Sequence, residues 1–292
     1  MAHPGIAVIR QLLGETRSAP TTLLERRENL ASLAGAPPAP EGVAVETIEL
    51  AERPAERLTP VGAAGGSVIL YLHGGGYCSG SLDTHRGLAG AIALASGTTV
   101  VTLDYRLAPE DPFPAALNDT LLAFDQLRPE RVAIAGDSAG GGLALATAVA
   151  LRDRGGALPD ALALLSPWVD LTQTAASMTT LAAVDPVLTA EALTQMADGY
   201  LAGTDARTTL ASPLFADLGG LPPMRIDVGS DEVLLDDSTT LAERARAAGV
   251  DATVQVWPEM IHVFPAFPPE LVPEAAESIA GVAAFLVQHL GG

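Results

Sequence analysis

The sequence predicts an α/β fold in which a mostly parallel, doubly wound sheet carries helices on both faces. Short β-branched apolar segments alternate with helix-patterned segments along most of the 292 residues, which is the order expected of βαβ units. Glycine-rich motifs at 73–76 and 136–140 each follow an apolar run directly. The sequence shows no repeat with a period of about 20–50 residues, which argues against solenoids and propellers.

The first half of the chain supplies alternating elements from residue 43 onward. Val43–Leu50 alternates polar and apolar residues, as a half-buried strand does. The short apolar runs 68–72 and 98–103 predict buried strands. Between and after them, 83–95 and 113–127 have helical patterns. Asp83 is the expected cap of the first helix, and Pro114 opens the second.

The second half continues the alternation with one interruption. Its predicted strands are 131–135, 161–165, 224–228 and 253–257. Its predicted helices are 138–154, which ends at a Gly-Gly pair, 239–248 and 274–289. The stretch 172–221 contains helical patterns but no clear strand. We interpret it as an insertion that forms a lid, joined by the N-terminal helical stretch 6–33.

The composition limits the classes of partner and location. The net charge is −19 and all 16 basic residues are Arg, which argues against nucleic acid or an anionic membrane as a partner. No apolar run reaches the ~18 residues that cross a bilayer, and residues 1–10 do not resemble a signal peptide. The single cysteine, Cys78, excludes an internal disulfide framework. We therefore expect a cytoplasmic protein, whose acidity reflects either genomic Ala/Arg bias or salt adaptation.

The motif at 136–140 predicts a nucleophilic serine. It matches the G-x-S-x-G pattern between a strand and a helix, where a sharp turn lifts the serine hydroxyl above the sheet edge. Gly136 and Gly140 supply the small neighbours that such a turn requires, and Ser138 stands at a helix N-terminus that favours developing anions. The alternative is a glycine-rich turn that only packs a helix on a strand.

The motif at 73–76, His-Gly-Gly-Gly, predicts a loop whose N–H groups point into a site. Such a loop after an early strand forms the oxyanion hole of lipases and esterases, with the N–H after the nucleophile, here Ala139, as partner donor. A phosphate-binding loop is the alternative, but the chain has no Lys and no G-x-G-x-x-G that opens a helix. We expect His73 and Gly74 to support the loop.

The base and the acid are expected after the last two strands. Of five histidines, only His262 follows a late strand in a loop before the last helix, where a doubly wound sheet presents residues at its edge. Asp231 follows the preceding strand and is the predicted acid, with Glu232 as the rival. Asp227 is expected to face a polar neighbour inside its strand. The pair Asp236–Asp237 is expected to cap the next helix.

With these motifs, the chain resembles the bacterial hormone-sensitive-lipase family of carboxylesterases, a branch of the α/β-hydrolase fold. The resemblance rests on His73–Tyr77, on Asp104–Glu110 with Phe113–Ala116, and on Gly136–Gly141. It implies that Ser138 is the nucleophile, that His262 is the base, and that the N–H donors belong to Gly75, Gly76 and Ala139. It also implies that Tyr105–Glu110 braces the active site.

The chain departs from the family pattern at two positions. Asp-Pro-Leu is usual at the acid, where this chain has Asp231-Glu232-Val233, so the choice between the two carboxylates stays open. A glycine commonly follows the catalytic histidine, where this chain has Val263. The expected organisation is an N-terminal helical cap segment, 1–42, and a catalytic domain, 43–292, with a cap insertion at about 172–215.

The expected function is hydrolysis of short- to medium-chain carboxylic esters through an acyl-enzyme. This mechanism requires a small-molecule ester and neither a metal nor an organic cofactor. A non-catalytic binding module on the same fold is the first alternative, and an amidase or lactonase with the same triad is the second. The resemblance also leads us to expect a homodimer formed through the last strand or helix.

Overall fold

The computed structural model describes residues 3–16, 22–128 and 130–291. The strands of the described chain are β1 (Val43–Leu50), β2 (Arg53–Pro60), β3 (Ser67–Leu72), β4 (Thr99–Leu103), β5 (Arg131–Asp137), β6 (Leu162–Leu165), β7 (Met224–Gly229) and β8 (Ala252–Trp257). Its α-helices are α1 (Gly5–Thr16), α2 (Leu23–Ala34), α3 (Leu82–Ser96), α4 (Ala115–Leu127), α5 (Ala139–Asp153), α6 (Ser177–Thr180), α7 (Ala190–Leu201), α8 (Leu235–Ala247) and α9 (Pro273–Leu290).

The strands form one sheet in the order β1-β2-β4-β3-β5-β6-β7-β8. Strand β2 runs antiparallel to both of its neighbours, and every pair from β4 to β8 is parallel. The predicted fold class is therefore confirmed. Parallel strands place their carboxyl ends along one edge, so the loops after β3, β5, β7 and β8 meet there.

Strand β2 is the one strand of the described sheet that the sequence analysis missed. It contains Pro54 and Pro60 as well as charged residues, which are depleted in strands. Ala51 and Glu52 form the turn before it, and their φ angles of 55° and 59° are those of a tight hairpin turn. Its pairing with β1 and β4 therefore outweighs its own weak strand preference.

Neighbouring residues of each central strand enter opposite cores. Leu70 belongs to an apolar cluster that includes side chains of α4, α5 and α8, whereas Tyr71 belongs to a second cluster that includes side chains of α3 and α9. Both side chains are fully buried, because helices cover both faces of the sheet. The nearly continuous apolar runs of these strands follow from this double coverage.

Two predicted helix starts need correction. The cap of α3 is Ser81 rather than Asp83, because the Ser81 hydroxyl accepts from the Thr84 N–H in a capping box. Helix α8 begins at Leu235, ahead of the predicted 239. Asp237 consequently lies inside its first turn and accepts from the backbone N–H groups of residues 169 and 170 on another segment.

The N-terminal helices and the 172–215 insertion lie beside the carboxyl edge of the sheet. Ile6, Ile9 and Leu13 of α1 form an apolar cluster with Ile261 and neighbouring residues of the loop after β8. In α2, Arg26 donates to Gln195 of α7. The division into a cap and a catalytic domain stays a prediction. Within the described residues, no helix is both long and apolar enough to cross a membrane.

Candidate active site

The turn between β5 and α5 holds Ser138 in a strained conformation. Its φ of 53° and ψ of −122° are rare for a residue with a side chain. The Ser138 N–H donates to Leu165 O at 2.8 Å, and its carbonyl accepts from Trp168 N at 2.9 Å, so backbone contacts on both sides hold the turn. A Cβ on Gly136 or Gly140 would collide with the Leu72 carbonyl. Glycine is therefore required where this turn presses against β3.

Ser138, His262 and Glu232 form one hydrogen-bonded line. The distance between Ser138 Oγ and His262 Nε2 is 3.0 Å, and that between His262 Nδ1 and Glu232 Oε2 is 2.8 Å. All three residues are buried. In the productive tautomer, Nδ1–H donates to the carboxylate and Nε2 accepts from the serine hydroxyl, which is the arrangement that lets an imidazole remove the serine proton.

The carboxylate beside His262 belongs to Glu232, so the prediction that Asp231 pairs with this histidine is wrong. The Asp231 carboxylate accepts from Arg10 of α1 and, at 2.8 Å, from the Ser230 hydroxyl. Its side chain is one quarter exposed, whereas that of Glu232 is fully buried. The loop after β7 turns between these consecutive residues and directs one carboxylate outward and the other inward.

The electrostatic setting favours a basic imidazole. Burial by itself lowers the pKa of His262, and the hydrogen bond and the charge of Glu232 oppose this effect. The charges of Asp185 and Asp137 act in the same direction, and the net effect raises the pKa above its ordinary value. A buried imidazole that gains affinity for a proton is suited to the role of general base.

Ser166, which directly follows β6, connects the acid and the base. Its hydroxyl donates to Glu232 Oε1 at 2.8 Å and accepts from Val263 N, next to His262, at 3.1 Å. The second contact of Oε1 is the Gly229 N–H at the end of β7. Sequence reasoning missed this serine, although its position, a polar residue at the carboxyl end of a buried parallel strand, was an available signal.

The glycine loop after β3 lies beside the nucleophile turn. Gly75 and Gly76 have φ angles of 113° and 64°, the left-handed region that favours glycine. The Gly75 carbonyl is turned back into its own loop, where it accepts from Cys78 N and from the amide and hydroxyl of Ser79. Among the described residues, the N–H groups of Gly75, Gly76 and Ala139 have no hydrogen-bond acceptor.

Buried side chains hold this loop against the turn between β5 and α5. Asp137 accepts from the Gly74 N–H at 3.0 Å and from the Tyr71 hydroxyl at 2.7 Å. The Tyr105 hydroxyl donates to the His73 carbonyl at 2.6 Å. These contacts fix the distance between the two motifs, because Asp137 is also the residue before Ser138.

His73 is placed as part of the loop and away from the serine–imidazole line. Its ring stacks on Tyr105 with centroids 4.2 Å apart, and its Nδ1 lies 2.7 Å from Gly74 O. Burial, with a smaller contribution from His85, lowers the pKa of His73 to about 3. The ring is therefore neutral at ordinary pH and donates through Nδ1–H.

Other side chains that the sequence singled out are also placed. Asp227 accepts from Trp257 Nε1 and from the Ser278 hydroxyl, so it faces polar neighbours as expected. Cys78 is free and buried, and burial raises the pKa of its thiol to about 12. Within the part of the chain that the structure describes, no group of three or more His, Cys, Asp or Glu is arranged to hold a metal ion.

Comparison with known sequences gives related proteins over nearly the whole chain. A family model described as "alpha/beta hydrolase fold" matches residues 69–266. The chain is 42% identical over 299 residues to an acetyl-hydrolase of Streptomyces hygroscopicus, covering 98% of this chain and 97% of that protein. It is 37% identical to the putative acetyl-hydrolase LipR of Mycobacterium tuberculosis, covering 91% of this chain and 87% of that protein.

Solved structures give the same result in three dimensions. An esterase described as a member of the bacterial hormone-sensitive lipase family superimposes with a TM-score of 0.95 at 42% identity, and each chain is covered completely. The structure of EstE5 soaked with p-nitrophenyl butyrate superimposes with a TM-score of 0.94 at 41% identity, again over 100% of both chains.

Proposed function

Because this chain belongs to the hormone-sensitive-lipase family of α/β hydrolases and is a carboxylic ester hydrolase, we propose that Ser138 performs its reaction through an acyl-enzyme. The observation that carries the proposal is the buried line from Ser138 through His262 to Glu232, with contacts of 3.0 and 2.8 Å. Metal or cofactor chemistry has no part in the proposed steps.

In the first half-reaction, Ser138 Oγ attacks the ester carbonyl while His262 Nε2 takes the hydroxyl proton. Glu232 stabilises the resulting imidazolium and keeps its ring oriented, without itself taking the proton. The tetrahedral intermediate then collapses, the C–O bond to the alcohol breaks, and His262 returns the proton to the departing alkoxide.

The N–H groups of Gly75, Gly76 and Ala139 are the proposed oxyanion donors. Two features support this role: the left-handed glycines turn the carbonyl of residue 75 away into the loop, and Ala139 is the first residue of α5. An N–H in the first turn of a helix has no partner within that helix. Each such donor contributes roughly 3–4 kcal/mol in the transition state.

In the second half-reaction, water replaces the alcohol. His262 removes a proton from this water, which attacks the acyl carbon, and the same oxyanion donors hold the second intermediate. Collapse releases the carboxylic acid and returns the proton to Ser138. Atoms and charge balance with ester and water as the only reactants.

We propose short- to medium-chain esters as substrates. Two relatives are named acetyl-hydrolases, and a similar structure was soaked with p-nitrophenyl butyrate. In this chain, a Cβ on Gly76 would collide with Met196 of α7, so a side chain of the insertion packs directly against the glycine loop. The cytoplasmic location and the homodimer expected from the sequence stay predictions.

The decisive experiment replaces the nucleophile. We expect Ser138→Ala to lower kcat for p-nitrophenyl butyrate by at least about 10⁴-fold, because the attacking oxygen is lost while binding and the oxyanion donors remain. Stopped assays at saturating substrate measure this, with circular dichroism to verify the fold.

A matched control is Ser96→Ala at the end of α3. Among the described residues, the Ser96 hydroxyl contacts its own helix and the residues that follow it. This variant is expected to keep wild-type kcat. If the activity of Ser138→Ala is near that of the control, the proposal is contradicted. If the wild-type protein binds the ester but does not hydrolyse it, the protein is a binding module instead. Matched ester, amide and lactone substrates then identify the preferred bond.

A further inference from the structure

The insertion contacts the acid-bearing loop at Val233 through two buried side chains, Ser177 and Asp185. Ser177 of α6 donates to Val233 O at 2.6 Å. Oδ1 of Asp185 accepts from Val187 N at 2.7 Å and Leu188 N at 2.9 Å, which forms a local turn in the segment before α7. Its Oδ2 accepts from Val233 N at 2.9 Å. Val233 follows Glu232 directly, so Asp185 holds the backbone one residue from the proposed catalytic acid.

Helix α1 reaches the same place from outside through Arg10. This guanidinium donates to the Asp231 carboxylate, to Glu259 O at 2.8 Å and to Val184 O at 3.2 Å. The three contacts belong to the loop with Glu232, the loop with His262 and the insertion. One side chain therefore joins both triad loops to the residue next to Asp185.

These contacts connect distant parts of the chain at the loop after β7. Asp185 needs only Oδ1 to form its local turn, yet its second oxygen contacts a chain segment 48 residues away. The Arg10–Asp231 pair is about one quarter exposed, and the same guanidinium also donates to two backbone carbonyls on other segments. Both Asp185 and Arg10 contact the loop that carries Glu232.

We propose that Asp185 and Arg10 are positioning residues. By fixing the insertion and α1 against the loop after β7, they keep Glu232 aligned with His262. Ser166 and Gly229 hold the Glu232 carboxylate from the sheet side. From the helical side, Asp185 holds the next residue, Val233, and Arg10 holds the preceding one, Asp231. This inference rests on the proposed serine mechanism. Neither residue touches the reacting atoms, and both act through Glu232.

The test compares Asp185→Asn and Arg10→Ala with two matched controls. Asparagine preserves the Oδ1 acceptor of residue 185 but presents an NH₂ group to the Val233 N–H. Asp170→Asn changes a buried aspartate that forms a local turn to Thr172 at the start of the insertion. Arg26→Ala removes a contact between α2 and α7 that lies away from the triad loops.

Two readouts are used. The first is the far-downfield ¹H NMR signal of the His262 Nδ1 proton, assigned by its loss in Glu232→Gln, which reports the Glu232–His262 hydrogen bond without any turnover. The second is kcat and KM for p-nitrophenyl butyrate on the alkaline plateau, where His262 is neutral and the charge of residue 185 no longer affects its protonation.

In both variants we expect this signal to be lost or broadened. We also expect kcat to fall about 10- to 100-fold while KM changes less than about twofold, because misplacement of a catalytic group by up to about 1 Å has effects of this size. Arg10→Lys is expected to restore part of kcat through its remaining contact with Asp231. The controls are expected to keep both the signal and kcat.

An unchanged signal and kcat in Arg10→Ala and Asp185→Asn overturns the inference, as does a loss equal to that of the controls. If Asp185→Asn does not fold, the partly exposed Arg10 variants decide alone. Failure of the proposed function is distinguishable, because the wild type would then show the imidazole signal but no dependence of hydrolysis on Ser138.

Discussion

At the scale of single residues, one turn decides which of two consecutive carboxylates, Asp231 or Glu232, contacts His262. Both carboxylates follow β7, but only Glu232 folds back to accept from Gly229 N and reach His262. The hydroxyl of Ser166 donates to Oε1, the same oxygen that accepts from Gly229 N, while Oε2 contacts His262. A buried carboxylate needs such partners, since an unpaired buried charge is costly.

We predict that Glu232→Gln lowers kcat about 10³- to 10⁴-fold, because an amide NH₂ facing His262 Nδ1 favours the wrong tautomer. Asp231→Asn, the matched control at the neighbouring position, is expected to cost less than about tenfold, through its contact with Arg10. Initial rates with p-nitrophenyl butyrate measure both. A larger loss in Asp231→Asn than in Glu232→Gln contradicts the assignment of the acid.

The pH profile gives an independent check on the same residue. In the proposed mechanism His262 acts as a base only when neutral, and its pKa is raised chiefly by Glu232 against the opposing effect of burial. Activity of the wild type therefore falls as the pH decreases through this raised pKa. In Glu232→Gln the negative charge is lost, so the acid limb of residual kcat/KM is expected to move to lower pH.

At the scale of elements, the carboxyl edge of the sheet works as a set of mutually braced loops. The loop after β4 supports the loop after β3 through the hydroxyl of Tyr105, and the end of β5 supports it through Asp137. Each brace joins different elements, so the glycine loop is positioned by its neighbours as well as by its own conformation. Oxyanion donors need such preorganisation, because an N–H group stabilises the transition state only when the fold already directs it at the oxygen that becomes negative.

We predict that Tyr105→Phe lowers both stability and kcat. It leaves the buried His73 carbonyl without its donor, which costs about 1–3 kcal/mol, and it releases one side of the glycine loop. Chemical denaturation measures the first effect, and kcat, expected to fall about tenfold, measures the second.

Tyr200→Phe is the matched control for this brace. Tyr200 is buried and stacks on Tyr77, but within the described residues its hydroxyl makes no hydrogen bond. Its removal is expected to leave kcat within about twofold of the wild type. Equal losses of kcat in the two variants would show that the Tyr105 hydroxyl has no special role in the loop.

At the scale of the whole molecule, the charge balance is the dominant feature. Acidic residues exceed basic ones by 19, and many arginines already have partners, such as Arg86 with Glu56 and Arg106 with Asp119. The remaining carboxylates repel one another over the surface. The core does not depend on this balance, because helices cover both faces of the sheet with apolar side chains.

We predict that the protein is folded at 0.1 M NaCl and that its Tm rises by about 2–4 °C on going to 1 M. The Debye length falls from about 10 Å to 3 Å over this range, which screens the excess repulsion. Differential scanning calorimetry at constant pH measures the shift. Loss of structure at 0.1 M would instead indicate salt adaptation, and a fall in Tm would show that paired charges dominate.

The sequence by itself determined the alternation of strands and helices, the nucleophile turn and the glycine loop, because these features are local. Apolar periodicity and the spacing of Gly136, Ser138 and Gly140 are visible within a few residues. Only the tertiary structure decided which carboxylate meets His262 and which residues hold it. The contact between Ser166 and Glu232 spans 66 positions and that between Arg10 and Asp231 spans 221, and no local pattern encodes the direction of a side chain after a turn.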